Sequence, residues 1–179
     1  MKRERFQRHR KPLNKKADVM GLSFTTLFSI ILIIIFIAVA FYAINAFLSS
    51  QKCAQIGMFV DDLRNDVDKA WDSQMTDSEF RGKLPSDLKY ACIADLSKSM
   101  NSKVLEGDIG YDISVFEGND VNLFFYPMEK SCSLGQHKIN HIDLEKITKE
   151  RNPHCFPNEG GIVKMRIKKE FNEALASIE

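Results

Sequence analysis

The sequence lacks the short signatures that announce familiar chemistry. It contains no GxSxG, no HExxH, no GxxxxGK[ST] and no GxGxxG. No nucleophile elbow, zinc-protease helix or phosphate loop can therefore be assigned. It has no CxxC pair, which removes the commonest zinc and redox motifs. It has no N-x-[ST] sequon, so N-glycosylation is not expected. An excess of one charge is also missing. Lys and Arg number 25 against 24 Asp and Glu, a net charge of +1. A dedicated nucleic-acid binder usually carries a basic excess, so no nucleic-acid partner is expected. Catalysis is not expected either, and no cofactor is implied.

The missing charge is unevenly distributed. The 33 residues between Asp18 and Lys52 carry no charged side chain. From Leu27 to Leu48 they are almost entirely Ile, Leu, Phe, Ala and Val. About 20 apolar residues span a bilayer core, so this stretch predicts a transmembrane helix. The rest of the chain is too small to bury such a helix on all sides. Ala38-Val39-Ala40 reads as a small-x-small signal-cleavage site. However, the apolar run starts near Leu22 and continues past that site through Phe41, Tyr42 and Ile44. A secretory signal has an apolar region of about 7–15 residues, so an uncleaved anchor is favoured there. A lipoprotein anchor at Cys53 is disfavoured because Lys52 stands where a small residue is needed.

The flanks orient the span. Lys2, Arg3, Arg5, Arg8, Arg10, Lys11, Lys15 and Lys16 all precede it. Basic residues beside a span stay cytoplasmic, which puts the carboxy-terminal part outside the cell membrane. The same basic arm is suited to anionic headgroups of the bilayer. Gly21, Thr25 and Ser29 fall four residues apart at the inner end of the span. Small residues so placed let membrane helices approach closely, so self-association or contact with other membrane helices is one expectation.

The helical period continues beyond the membrane. Cys53, Ile56, Val60, Leu63, Val67 and Trp71 recur at steps of three and four, with Phe59 and Ala70 beside them. This predicts one helix from about residue 22 to about 73, lipid-facing at first and amphipathic afterwards. The acidic run from Asp61 to Asp68 lacks the glycine and the twelfth-position Glu of a calcium loop and reads as a solvated face. Thr76 and Glu79 have capping-box spacing and predict a short helix. Strands are predicted over 88–96, 111–116, 121–126 and 162–168, with a weaker one over 137–144 and a hairpin turn at Glu117–Asp120. Phe171, Leu175 and Ile178 predict a last short helix. The sum is an α+β fold, a long amino-terminal helix packed on a small antiparallel sheet of four or five strands. Its organisation is a basic arm over 1–19, a transmembrane helix over 20–50 and an extracytoplasmic domain over 51–179.

All four cysteines, Cys53, Cys92, Cys132 and Cys155, follow the span. An even count in an exported domain predicts disulfides. Of three connectivities, Cys53–Cys92 and Cys132–Cys155 is preferred, because Cys53 shares the apolar stripe and so faces the sheet. A metal reading of His137, His141, His154, Cys132 and Cys155 is weaker. Residues four apart on a strand sit roughly 13 Å apart, too far for one ion, and disulfides would consume the thiols.

The run Lys15-Lys16-Ala17-Asp18-Val19-Met20-Gly21-Leu22-Ser23-Phe24 looks like the leader and helix start of archaeal membrane proteins with a pilin-like amino terminus. Val121 to Pro127 and the stretch from His137 to Ile142 look like segments of small archaeal single-pass proteins. The layout as a whole resembles type IV pilins. That resemblance implies removal of the leader by a dedicated peptidase, after Ala17 or near Gly21. The glutamate found five residues into the mature bacterial pilin helix has no counterpart, since Thr25 and Thr26 are uncharged. The expected function is thus a non-enzymatic, membrane-anchored extracytoplasmic protein, pilin-like as a subunit or assembly component of a surface structure. The alternative is a monomeric anchored module that binds a surface partner or ligand.

Overall fold

A computed structural model describes residues 24–100 and 109–179. Its contacts divide the chain at Ala46 and Phe47 into two units. In the first unit, the described residues belong to α1, the helix Phe24–Asp72. Every side chain from Thr25 to Ala46 is exposed.

The second unit holds the rest of α1 and the sheet. Here α1 buries Ile56, Phe59, Val60, Leu63, Val67 and Ala70 in the core. Their three-and-four spacing keeps them on one face. Fully burying a side chain such as Leu or Phe is worth about 1.5–3 kcal/mol, so this stripe is a large part of what holds the unit together. Trp71 falls outside the stripe and is 40% exposed, because Ala70 takes the inward position.

The strands are β1 (Thr76–Lys83), β2 (Tyr90–Ile93), β3 (Leu123–Tyr126), β4 (Gln136–His137), β5 (His154–Glu159), β6 (Ile162–Lys169) and β7 (Ser177–Ile178). Among the described residues they form a seven-stranded sheet in the order β1-β6-β5-β2-β3-β4, with β7 also on β6. The ladder pairs are all antiparallel. Short helices α2 (Ile109–Ser114) and α3 (Leu144–Ile147) complete the unit. The expected α+β architecture is therefore present, with more strands than the four or five anticipated.

Alternation along the strands decides which side of the sheet each residue serves. Ala91 and Ile93 of β2, with Leu123 and Phe125 of β3, join the core that contains α1. Cys92, Ala94 and Phe124 point the opposite way and form a second cluster with Ile109 and Ile113 of α2. The central strands are thus covered on both faces. On β1 and β6 the inward residues are Phe80, Gly82, Val163, Met165 and Ile167, while Asp77, Glu79, Arg81, Lys164 and Arg166 are exposed. Gly82 has a steric reason: a Cβ there would lie 2.2 Å from two carbons of the Phe59 ring.

Several local expectations were overturned. Thr76–Glu79 does not cap a helix, because Thr76–Lys83 is a strand paired along its whole length with β6. The alternation of β6 needs a partner, and that long-range pairing outweighs one local cap. Residues 111–116 are not a strand. Ile109 and Ile113, four residues apart, bury one side of α2 while Tyr111 and Val115 stay exposed. The Glu117–Asp120 turn therefore follows a helix and does not join two strands. Of the 137–144 segment, His137 alone belongs to a strand, β4, and Ile142 makes an isolated bridge to Ala176. Beyond β4, buried Asn122 holds the backbone of Ile139: its Nδ2 donates to the Ile139 carbonyl and its Oδ1 accepts from the Ile139 N–H, both at 2.8 Å. Lastly, the end of the chain is not a helix. Ser177–Ile178 pairs with β6, and Phe171 is 64% exposed.

Candidate functional site

The most distinctive feature is the exposed apolar helix. The stretch before Ala46 presents Ile, Leu, Phe and Val side chains on every side. Among the described residues α1 is the one helix long and apolar enough to cross a membrane. Water gives no compensation for so much apolar surface, whereas lipid does. Of the three small residues singled out for helix packing, Thr25 and Ser29 lie on α1 and are exposed. The Ser29 hydroxyl donates to the Thr25 carbonyl at 2.8 Å, a bond internal to the helix. Gly21 lies outside the described residues, as does the basic arm.

The four cysteines form two disulfides, Cys53–Cys132 and Cys92–Cys155. The preferred pairing of Cys53 with Cys92 and of Cys132 with Cys155 is thereby corrected. The physical reason is the period of two on β2. Cys92 points away from α1 into the second cluster, so Cys53 on α1 cannot reach it. Its neighbour on that side is Cys155, directly opposite on β5. Cys53 instead meets Cys132, which packs against the α1 core from the loop after β3. Disulfides of this kind form and persist most readily in oxidising compartments.

The histidines are dispersed. His137 bonds the Leu134 carbonyl at 3.0 Å. His141 bonds Asp68 at 2.9 Å and stacks on Trp71 with ring centroids 3.9 Å apart. His154 tilts against Phe156. Burial holds both His137 and His154 below the usual imidazole pKa, with Arg64 and Arg151 respectively acting in the same direction. Among the described residues no three His, Cys, Asp or Glu side chains gather as a metal-holding group.

A groove on β1 and β6 is lined by Asp77, Glu79, Lys164, Met165, Arg166 and Glu179. Two of its carboxylates are held in bidentate pairs. Arg166 donates twice to Asp77 at 2.6 Å, and Arg81 twice to Glu79 at 3.0 Å. These hydrogen bonds hold the Asp77 and Glu79 carboxyls below their ordinary pKa. Such carboxylates stay ionised and are poor proton donors near neutral pH. Sequence reading passed over this face. Its signal was the period-two charge pattern Asp77, Glu79, Arg81, Lys83, hidden by the capping-box reading.

A further device is the end of α1. Lys169 is buried, and its ammonium donates to the carbonyls of Trp71 and Ser73. A cation there satisfies orphan carbonyls and opposes the negative end of the helix dipole.

Comparison with protein-family models, curated proteins and solved structures returned no match to this chain.

Proposed function

We propose that the protein is a non-enzymatic, single-pass, membrane-anchored extracytoplasmic protein, pilin-like in layout, that serves as a subunit or assembly component of a surface structure. The observation that carries this reading is α1 itself. One helix is apolar all round before Ala46 and carries a single buried stripe from Ile56 to Ala70. Lipid and sheet are the two environments those patterns fit.

Three further features support it. The eight basic residues before the span favour a cytoplasmic amino terminus. Both disulfides lie after the span, where an oxidising compartment preserves them. The groove on β1 and β6 holds Asp77 and Glu79 in ion pairs with Arg166 and Arg81, which keep both carboxyls ionised.

The test is labelling of intact cells with an impermeant thiol reagent. Glu117→Cys, on an exposed turn, is expected to label, and Phe6→Cys to label only after lysis. Labelling of Phe6→Cys on intact cells refutes the topology. Amino-terminal sequencing of the purified protein tests the pilin-like leader. A new terminus between Ala17 and Gly21 supports it, and a terminus at Met1 or Lys2 overturns it.

A further inference from the structure

Apolar side chains left singly on a surface are ordinary. One end of the second unit gathers four of them. α1 ends at Asp72, and Trp71, Met75, Phe171 and Leu175 are all exposed there, Met75 at 66% and Phe171 at 64%. Three links place them together. Thr76 pairs with Lys169 at the last step of the β1–β6 ladder, so Met75 and Glu170 are the first residues beyond it. Lys169 stands two residues before Phe171, and its ammonium donates to the Trp71 and Ser73 carbonyls. The Ala176 N–H, next to Leu175, donates to the carbonyl of His141, whose ring stacks on Trp71.

Both aromatic residues are held in place. The Trp71 and His141 rings are nearly parallel, 7° apart, and Asp68 bonds the same imidazole at 2.9 Å. Phe171 sits on a turn closed twice. The Glu173 N–H donates to the Glu170 carbonyl at 3.1 Å, and the Glu170 N–H donates to the Glu173 carboxylate at 3.0 Å. Lys146 of α3 in turn holds the Glu173 carboxylate at 2.8 Å. An aromatic side chain fixed before binding loses little freedom when a partner arrives. Aromatic residues and Met are also what distinguish protein interfaces from the remaining surface.

Charge chooses the occupant. Asp72 and Glu170 are exposed beside these side chains. The lysines of this end are engaged elsewhere: Lys69 with Asp66, Lys146 with Glu173 and Lys168 with Glu179. Glu170 reaches Lys146 only through the longer-range field. We infer that this end of the sheet unit docks an apolar segment flanked by Lys or Arg, carried by a different protein. The apolar residues of that segment cover Met75 and Phe171, and its cations meet Asp72 and Glu170. A second copy of the chain is a poor occupant, because it sets Asp72 and Glu170 against their own images. The inference rests on the second unit alone. It needs neither the pilin-like leader nor a particular orientation of the anchor.

The experiment uses the full chain in nanodiscs of phosphatidylcholine, a lipid without net charge. A phage library of random dodecapeptides is cleared on empty discs and then selected on loaded ones. The enriched peptides are expected to place Lys or Arg beside aromatic or aliphatic residues. The most enriched peptide, synthesised with a fluorescent tag, then reads affinity by anisotropy. Phe171→Ser and Met75→Ser are each expected to weaken it at least about tenfold, as loss of a central contact does. Asp72→Lys/Glu170→Lys is expected to weaken it as much. That variant should instead bind the same peptide with its basic residues replaced by Glu, which the wild type rejects. All four side chains are exposed, so folding is not at stake. The inference is overturned if no peptide is enriched over empty discs, or if the enriched peptides lack basic residues. It is equally overturned if Phe171→Ser and Met75→Ser bind as tightly as wild type. Loaded discs that pair with each other, and cease to in Phe171→Ser, overturn it in favour of a second copy.

Discussion

Removing the Cys53–Cys132 staple as the double variant Cys53→Ala/Cys132→Ala tests both the connectivity and its energetic role. The bond joins residues 79 apart in sequence. By the chain-entropy relation a loop of that length is worth about 4.5 kcal/mol at 25 °C. The total stability of a domain is about 5–15 kcal/mol, so the loss is about a third or more of what keeps the unit folded. With a urea dependence of about 2 kcal/mol per molar, the unfolding midpoint should fall by roughly 2 M. Trp71 is the only tryptophan and stacks on His141, so its fluorescence in detergent-solubilised full chain reports the unfolding of the sheet unit. The companion variant Cys92→Ala/Cys155→Ala opens a loop of 63 residues, nearly the same entropy. It should nevertheless lose more, because Cys92 is 0% exposed and its sulfur is packed in the second cluster. A Cys53/Cys132 variant whose midpoint matches wild type would refute the reasoning. So would a Cys53→Ala/Cys92→Ala variant that keeps a disulfide between Cys132 and Cys155 by peptide mapping.

Other expectations follow from particular contacts. Lys169→Met should lower stability by about 2 kcal/mol, the range for hydrogen bonds to a charged group, while Lys168→Met, at a pair with Glu179 near the surface, should cost less. Equal losses in denaturant titration would reject the helix-capping role. Gly82→Ala should cost roughly 1–3 kcal/mol as overpacking against Phe59, and a thermal midpoint equal to wild type would contradict it. Asn122→Leu should cost about 2 kcal/mol or more by stranding the N–H and C=O of Ile139, read as faster hydrogen exchange at Ile139. His137 and His154 bind protons more weakly folded than unfolded. As pH falls below about 6.5, the unfolded chain takes up protons first. Stability should therefore drop across that window, less so in His154→Gln, and a midpoint that rises between pH 7.5 and 5.5 would contradict this.

The long apolar run, the continuation of its helix and the inward faces of β6 were legible in the sequence. Each is a periodic pattern long enough to be unambiguous: 33 uncharged residues, a stripe from Ile56 to Ala70, and Val163, Met165 and Ile167 in strict alternation. An even cysteine count after the span was enough to expect two disulfides. What the sequence could not decide was anything set by a partner far along the chain. Thr76 to Lys83 became a strand because β6, 86 or so residues on, supplied its ladder. Residues 111–116 have the composition of a strand, yet the far face of β2 and β3 needed a cover that α2 provides. Cys92 found Cys155 instead of Cys53 because side chains on a strand alternate, and only the register of β2 against β5 says which face each occupies. Local pattern therefore determined where this protein is apolar and where it is helical. Tertiary pairing decided which residues meet, and with that the disulfides, the buried lysine at the end of α1 and the charged outer face of β1 and β6.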